Sequence, residues 1–379
     1  MDQSVASGEQ ASLSEKSRRL HLVEFWADRD DIESLKAKPA PVPYIWKWRD
    51  IHPHLLWASK VVPVDQAERR GLIFSNPGLG PERKYHVTQT LLGAYQLYNP
   101  GEKAPVHRHT PSASRFVVSG SGGYTTVDGE KCVMERGDLI ITPAGLWHDH
   151  GNEGTEPIIW MDVLDLPFVE SVNCSYFEFN YTEPKVFGSN SGERVPKATQ
   201  TLKVEPGHSD RSYRSGGLVP LFGQENRRGS AHTPKYHYQW TRTLEALHGL
   251  RKQAGSPYEG IILEYTNPTS GGPVMPNMSF RAQLLRPGEK TLPYRTTTSS
   301  LFCALEGSGC TIVGDTKLEW EKNDVFVVPN WIWREHHNNS STEDAVLYSV
   351  TDFPLIAKAG LIREQAKNGD GDVIDLTPF

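Results

Sequence analysis

Hydrophobic and polar positions along the chain fall into distinct regimes. From about Arg70 the apolar residues come in short runs separated by Gly and Pro, as in GLIFSNPG, TQTLLGAYQLYNPG, SRFVVSGSG, GYTTVDG and DLIITPAG. Short runs bounded by turn residues at close spacing predict antiparallel strands of a sandwich or barrel. The same texture resumes at MSFRAQLLRPGEK and runs to AVLYSVTDF. Between the two regions, residues 183–235 are polar and rich in Gly, Ser and Arg, which reads as a linker, and residues 236–252 (YHYQWTRTLEALHGLRK) predict a helix. Before Arg70 the pattern predicts a short helix after Leu20, an extended crossing through KPAPVP (38–43) and a helix near 48–60. Residues 1–18 are polar and Ser-rich and predict a mobile tail, with a helix starting near Ser14.

The two β regions are copies of each other. PGEKAPVHRHTPSASRFVVSGSG (100–122) aligns without gaps with PGEKTLPYRTTTSSLFCALEGSG (287–309), at an offset of 187. GDLIITPAGLWHDHGN (137–152) aligns with NDVFVVPNWIWREHHN (323–338) at an offset of 186. Two separated segments recurring in the same order indicate a duplicated domain. The expected division is a tail (1–18), an N-terminal helical arm (19–69), a first β domain (70–182), a linker (183–259), a second β domain (260–355) and a C-terminal tail (356–379).

Composition narrows the function classes. The 379 residues carry 40 Lys+Arg against 46 Asp+Glu, a formal net charge of −6, so no basic footprint points to nucleic acid or an anionic membrane. No window approaches a membrane span, and the N-terminus has no apolar core of a secretory signal. Cys132, Cys174, Cys303 and Cys310 form no C-x-x-C pair and no disulfide framework, which suits a reducing, cytoplasmic setting.

The candidate chemistry is in the first copy. Gly101, His107 and His109 form G-x5-H-x-H; Gly137, Pro143, Gly145, His148 and Asn152 form G-x5-P-x-G-x2-H-x3-N. Strand periodicity places His107 and His109 on one face. Three imidazoles converging from neighbouring strands suit Fe(II), Zn, Ni or Cu rather than Mg or Ca. The second copy has Tyr294, Thr296 and Arg334 at the three histidine positions, which predicts one metal per chain, in the first domain.

These motifs resemble the cupin superfamily. With HRHTPSASRFVVSGSGGYTTVDGE, WMDVLDLPF, VPYIWKW, ERRGLIFSNPGLG and NPTSGGPVMP, the chain from about 40 to 355 is similar to the gentisate 1,2-dioxygenase family, which includes salicylate and 1-hydroxy-2-naphthoate 1,2-dioxygenases. The resemblance implies an all-β-dominated bicupin: two antiparallel β-barrel (jelly-roll) domains with an N-terminal helical arm. It implies Fe(II), one per chain, held by His107, His109 and His148, since Ala113 stands where many cupins have a Glu ligand. It implies O2-dependent cleavage of an aromatic ortho-hydroxy carboxylate. For gentisate the cut lies between the carboxyl-bearing and adjacent hydroxyl-bearing carbons and gives maleylpyruvate. Salicylate, a substituted salicylate or 1-hydroxy-2-naphthoate is the alternative substrate.

The resemblance also assigns roles. Arg115 and Arg69 would bind the substrate carboxylate, which a planar guanidinium suits, although Arg70 could take the place of Arg69. His150, Asp162 and Gln96 would be catalytic: His150 as a non-ligand that hydrogen-bonds the substrate or shuttles a proton, Asp162 as its orienter or as acceptor for a ring 5-hydroxyl, and Gln96 as a hydrogen-bond partner of an oxygen-derived ligand. Gln96 and Asp162 also read as buried polar groups supporting the barrel. Val163, Pro111 and Ser114 depart from the family pattern without removing a ligand. The family implies a homo-oligomer, most commonly a homotetramer.

Overall fold

Each predicted β region becomes two facing antiparallel sheets, an open jelly-roll sandwich rather than a closed barrel. The computed structural model describes residues 11, 13–22, 24, 40–63, 70–181, 196–222 and 232–377. The tail over 1–10, most of the predicted helix after Leu20, Arg69 and parts of the linker lie outside the described residues. In the N-terminal unit, residues 1–38, positions 13–19 are helical. There the Ser14 and Ser17 hydroxyls donate to Glu24 at 2.9 and 3.1 Å.

The unit from residue 39 onward contains both sandwiches. In the first, one sheet runs His237–Tyr238, Leu139–Thr142, Ala113–Ser119, Ile158–Leu164, Leu92–Tyr98, Gly71–Ile73. The facing sheet runs Phe177–Phe179, Lys103–His109, His148–Asn152, Gly123–Val127, Glu130–Met134. The second sandwich repeats the order at the sequence offsets: Ser279–Leu285 answers Leu92–Tyr98, Ser300–Glu306 answers Ala113–Ser119, and Arg334–Asn338 answers His148–Asn152. Glu364–Lys367 and Val373–Asp375, in the segment read as a tail, complete its outer sheet by pairing from Tyr294–Thr296 outward.

Alternation along the strands sorts side chains between three cores. Tyr98, Val117, Ile140 and Trp160 fill the inside of the first sandwich; Phe302, Leu318, Trp320 and Phe326 fill the second. The opposite faces of the same strands supply Tyr95, Phe116 and Met161, which share one core with Phe280, Leu301 and Tyr348. There the Phe116 and Tyr348 rings stack with centroids 3.7 Å apart.

The halves also exchange elements. Tyr44–Trp46, in the Pro-rich crossing, pairs with Val325–Val327 of the second sandwich, and the helix Trp48–Val61 follows it. Reciprocally, His237–Tyr238 pairs with Leu139–Ile140 of the first sandwich and leads into the helix Trp240–Leu250. The predicted helix over 236–252 is therefore shorter, because its first residues are held extended by this pairing. Neither helix is capped by its own N-cap side chain. Instead the Trp48 N–H donates to Asp324 (2.7 Å) and the Trp240 N–H to Asp138 (2.8 Å), carboxylates of the adopting sandwich at equivalent positions. They satisfy backbone donors that a helix start otherwise leaves open. Gly137 beside Asp138 has φ +87°, and a Cβ there would lie 2.4 Å from the Trp240 ring. Its counterpart Asn323 keeps a positive φ of 66°, a conformation Asn tolerates better than most residues.

Candidate metal centre

Strand pairing assembles the motif histidines. His107 and His109 project from Lys103–His109, and His148 is the register partner of His107 on the next strand. All three are buried, with ring centroids 4.3 Å (His107–His148), 4.7 Å (His109–His148) and 5.7 Å (His107–His109) apart. They share one local device. The Nδ1 of His107 lies 2.7 Å from the Pro105 carbonyl, that of His109 2.7 Å from the Pro111 carbonyl, and that of His148 2.8 Å from the Leu146 carbonyl. A carbonyl only accepts, so each Nδ1 carries the proton and each Nε2 is left with its lone pair. The Nε2 of His148 is buried with no hydrogen-bond partner among the described residues. Burial first, then the neighbouring His107, His109 and Arg115, push His148 well below the usual imidazole range, so it is neutral.

By distance alone, the candidate ligand atoms of His107, His148 and His150 lie within 4.8 Å of one another. His150 differs in its bonding. Its Nδ1 is 3.2 Å from the Thr125 hydroxyl and its Nε2 accepts from Arg115 Nη2 at 2.9 Å, so both nitrogens are engaged. The Nδ1-to-backbone bond shared by His107, His109 and His148 is thus replaced in His150 by side-chain bonds. A buried set of neutral imidazoles with Nδ1 tied to backbone fits a divalent metal of borderline softness.

Beside the histidines, Arg115 spans three groups. Its Nη1 donates to Thr142 (2.7 Å), its Nη2 to His150, and its Nε lies 3.4 Å from Asp162, its cross-strand register partner. Arg115 and Asp162 are both buried, so this is a desolvated pair rather than a surface one. Gln96 stands opposite Trp160 on the neighbouring strand, and the buried Gln96 Oε1 and Trp160 Nε1 have no hydrogen-bond partner among the described residues. Asp149, between His148 and His150, accepts from the Gln200 N–H at 2.6 Å; burial raises its pKa to about 6.

Arg69 lies outside the described residues. Arg70 is no substitute for it: its guanidinium pairs with Glu102 and donates to the Val62 carbonyl (3.2 Å), tying the helix Trp48–Val61 to the first sandwich. Thr125, Thr142 and Phe177 escape sequence reasoning. Phe177 stacks on His107, centroids 5.1 Å apart at 15°, and covers that side of the cluster. Phe177 carries no motif signal. Thr125 does: it aligns with Thr311 at the offset that aligns His150 with His336.

The second sandwich keeps that pair and replaces the metal set. Thr311 bonds His336 Nδ1 at 2.8 Å. Arg334, at the position of His148, takes up the bond to His336 Nε2 (3.0 Å) that Arg115 makes in the first copy. Glu259 neutralises Arg334 through both its oxygens. Burial disfavours both charges, yet the pairing holds the Glu259 carboxyl below, and the Arg334 guanidinium above, its ordinary range. Tyr294 is tied to Glu364. A guanidinium–carboxylate pair occupies the position of a ligand, so metal analysis of reconstituted protein should give one ion per chain. Two ions, or one that survives His148→Ala, would overturn this assignment.

A separate cavity of about 410 Å³, lined by Lys235, Tyr238, Arg242 and Tyr265 among others, contains none of the predicted site residues. Among the described residues no helix is long and apolar enough to cross a membrane.

Comparison with known proteins places this architecture. A cupin-domain family model matches residues 94–164. The chain is 37% identical over 365 residues to a 5-aminosalicylate 1,2-dioxygenase from Comamonas sp, covering 95% of this chain and 91% of the relative. It is 36% identical to gentisate 1,2-dioxygenase 1 from Aquipseudomonas alcaligenes, covering 90% and 92%. Among solved structures, salicylate 1,2-dioxygenase from Pseudoaminobacter salicylatoxidans with gentisate superposes with a TM-score of 0.84 at 29% identity, covering 95% of this chain and 94% of that one.

Proposed function

The chain belongs to the gentisate 1,2-dioxygenase family of bicupin oxidoreductases, which incorporate both atoms of O2, and from that premise we propose that it opens the ring of gentisate to give maleylpyruvate with Fe(II) held by His107, His109 and His148. The observation that carries this reading is the shared Nδ1 bonding of the three histidines beside a buried Arg115–Asp162 pair. Bound there, Fe(II) would supply positions for chelating a carboxylate and a phenolate oxygen, and electrons for activating O2.

The remaining steps belong to the chain. Arg115 binds the substrate carboxylate, a planar anion matched to its fork of donors. His150 Nε2, released from Arg115 as that guanidinium turns to the carboxylate, accepts the proton of the 2-hydroxyl. Thr125 accepts from Nδ1–H and keeps that tautomer. Asp162 offers a carboxylate oxygen to a hydrogen-bond donor on the ring, which favours gentisate over unsubstituted salicylate. The 5-amino group in the name of the Comamonas relative's substrate is also such a donor, so 5-aminosalicylate is the second reading. Gln96 presents its amide to an oxygen-derived group.

Oxygen uptake by Fe(II)-loaded protein tests this, with gentisate, 5-aminosalicylate, salicylate and 1-hydroxy-2-naphthoate as substrates. The expected order of kcat/KM puts the two 5-donor rings first, and Asp162→Asn should narrow their lead. Equal turnover of salicylate and gentisate by the unmodified enzyme would refute the role given to Asp162.

A further inference from the structure

The duplicated fold contains a reciprocal clamp. Asp165 Oδ1 accepts the Ser112 N–H at 2.7 Å, and its Oδ2 accepts from Asn277 Nδ2 at 2.9 Å. Asn277 lies in the segment leading into Ser279–Leu285 of the second sandwich. In mirror image, Asp352 Oδ1 accepts the Ser299 N–H at 2.8 Å, and its Oδ2 accepts from the Thr90 hydroxyl at 2.6 Å. Thr90 leads into Leu92–Tyr98 of the first sandwich. Each member of one clamp is 187 residues from its counterpart in the other: 90 and 277, 112 and 299, 165 and 352. Each half thus reaches across to a buried carboxylate of the other.

Only one clamp ends at a histidine. The peptide that gives its N–H to Asp165 is the Pro111–Ser112 unit, and the carbonyl oxygen of that same unit is the one 2.7 Å from His109 Nδ1. A peptide donating to a buried carboxylate is polarised, and its oxygen becomes a stronger acceptor. We infer that Asn277 and Asp165 are positioning residues for the metal centre: through one peptide plane they hold His109 in the Nδ1–H tautomer and orient its Nε2. The second sandwich, which has no ligands of its own, thereby serves the site in the first. In the mirror clamp the position of His109 is Thr296, so the same construction ends without a ligand. The inference rests on His109 being a ligand, as proposed above.

The mirror symmetry supplies the control. Protein loaded with Co(II), whose visible absorption reports coordination, is challenged with excess chelator, and release is timed without substrate. Asn277→Leu and Thr90→Val each remove one clamp donor while keeping the number and branching of side-chain heavy atoms. Asn277→Leu should speed Co(II) release about tenfold and alter the visible band, the lower end of what outer partners of a ligand typically contribute. Thr90→Val should leave both at wild-type values, even if the two variants lower Tm alike. Asn277→Thr, which brings in the hydroxyl donor used at the mirror position, should recover most of the retention. His109→Ala is the check on the underlying reading: release at the wild-type rate would mean that His109 is not a ligand. Fast release from His109→Ala with wild-type release from Asn277→Leu, or equal acceleration by Asn277→Leu and Thr90→Val, would overturn the clamp alone.

Discussion

Replacing His148 by alanine is expected to abolish ring cleavage and strip the protein of its metal. The residue sits at the junction of the cluster, its ring nearest to those of both His107 and His109. Its Nδ1 is committed to the Leu146 carbonyl, and among the described residues its buried Nε2 has no hydrogen-bond partner, which leaves that nitrogen's lone pair to offer. Loss of a ligand should weaken metal affinity by more than about 100-fold, because loss of an outer-shell partner alone typically weakens it 10–100-fold. The second sandwich cannot compensate, since Arg334 occupies the equivalent place. The measurement is metal content after gel filtration alongside O2 uptake with gentisate. Retained iron with near-normal turnover would remove His148 from the ligand set, and His336→Ala, in the second sandwich, should leave both quantities unchanged.

Arg115→Ala is expected to have two separable effects. The first is on folding. Asp162 and Arg115 are buried together, and truncating Arg115 removes the cation beside a buried carboxylate; breaking such a pair typically costs about 3–5 kcal/mol. The second is on substrate. Without the guanidinium the substrate carboxylate is under-compensated in a desolvated pocket, a loss of roughly 2–5 kcal/mol. The double variant Arg115→Met with Asp162→Asn distinguishes them: Tm should recover, while KM for salicylate, which has no 5-donor to meet Asp162, stays high. Arg115→Lys should rescue in part only, because a point charge cannot reach Thr142, His150 and Asp162 as a planar fork does. Equal substrate affinity in the wild type and the double variant would place the carboxylate elsewhere, with Arg69 the next residue to replace.

Much of this site is local in sequence and was therefore readable. The H-x-H pair and His148 lie on adjacent strands, and the offsets of 187 and 186 that align the copies are the offsets of the observed strands. The unreadable features are those made by distant segments. Nothing in YHYQW announces pairing with Leu139–Ile140, and the residues before Trp240 read as helix because the partner that holds them extended lies about a hundred positions away. Arg69 and Arg70 are indistinguishable by neighbourhood. Only the fold shows that Arg70 is absorbed by Glu102. Thr125 and Thr142 are ordinary strand residues until His150 and Arg115 are seen against them. Comparing the two copies for retained as well as lost residues would have found Thr125, since Thr311 and His336 survive after the ligands have gone.

The exchanged strand–helix units bear on how such a chain can change over time. An isologous dimer presents the same patch twice, and partners that trade an identical element are bound by domain swapping. Here both partners are one polypeptide, so the contact no longer depends on concentration and its two sides are free to differ. That freedom is visible in what has diverged: Lys47 meets Asp324 where His237 meets Asp138, and Thr90 stands where its twin is Asn277. In a fused, swapped pair one half can lack the histidine set and still hold its contacts with the other, made by different side chains on the two sides. The half without the histidine set still lends the first sandwich the strand His237–Tyr238 and the Asn277 amide, so the stability of the two halves should be shared and substitutions in one should register in both.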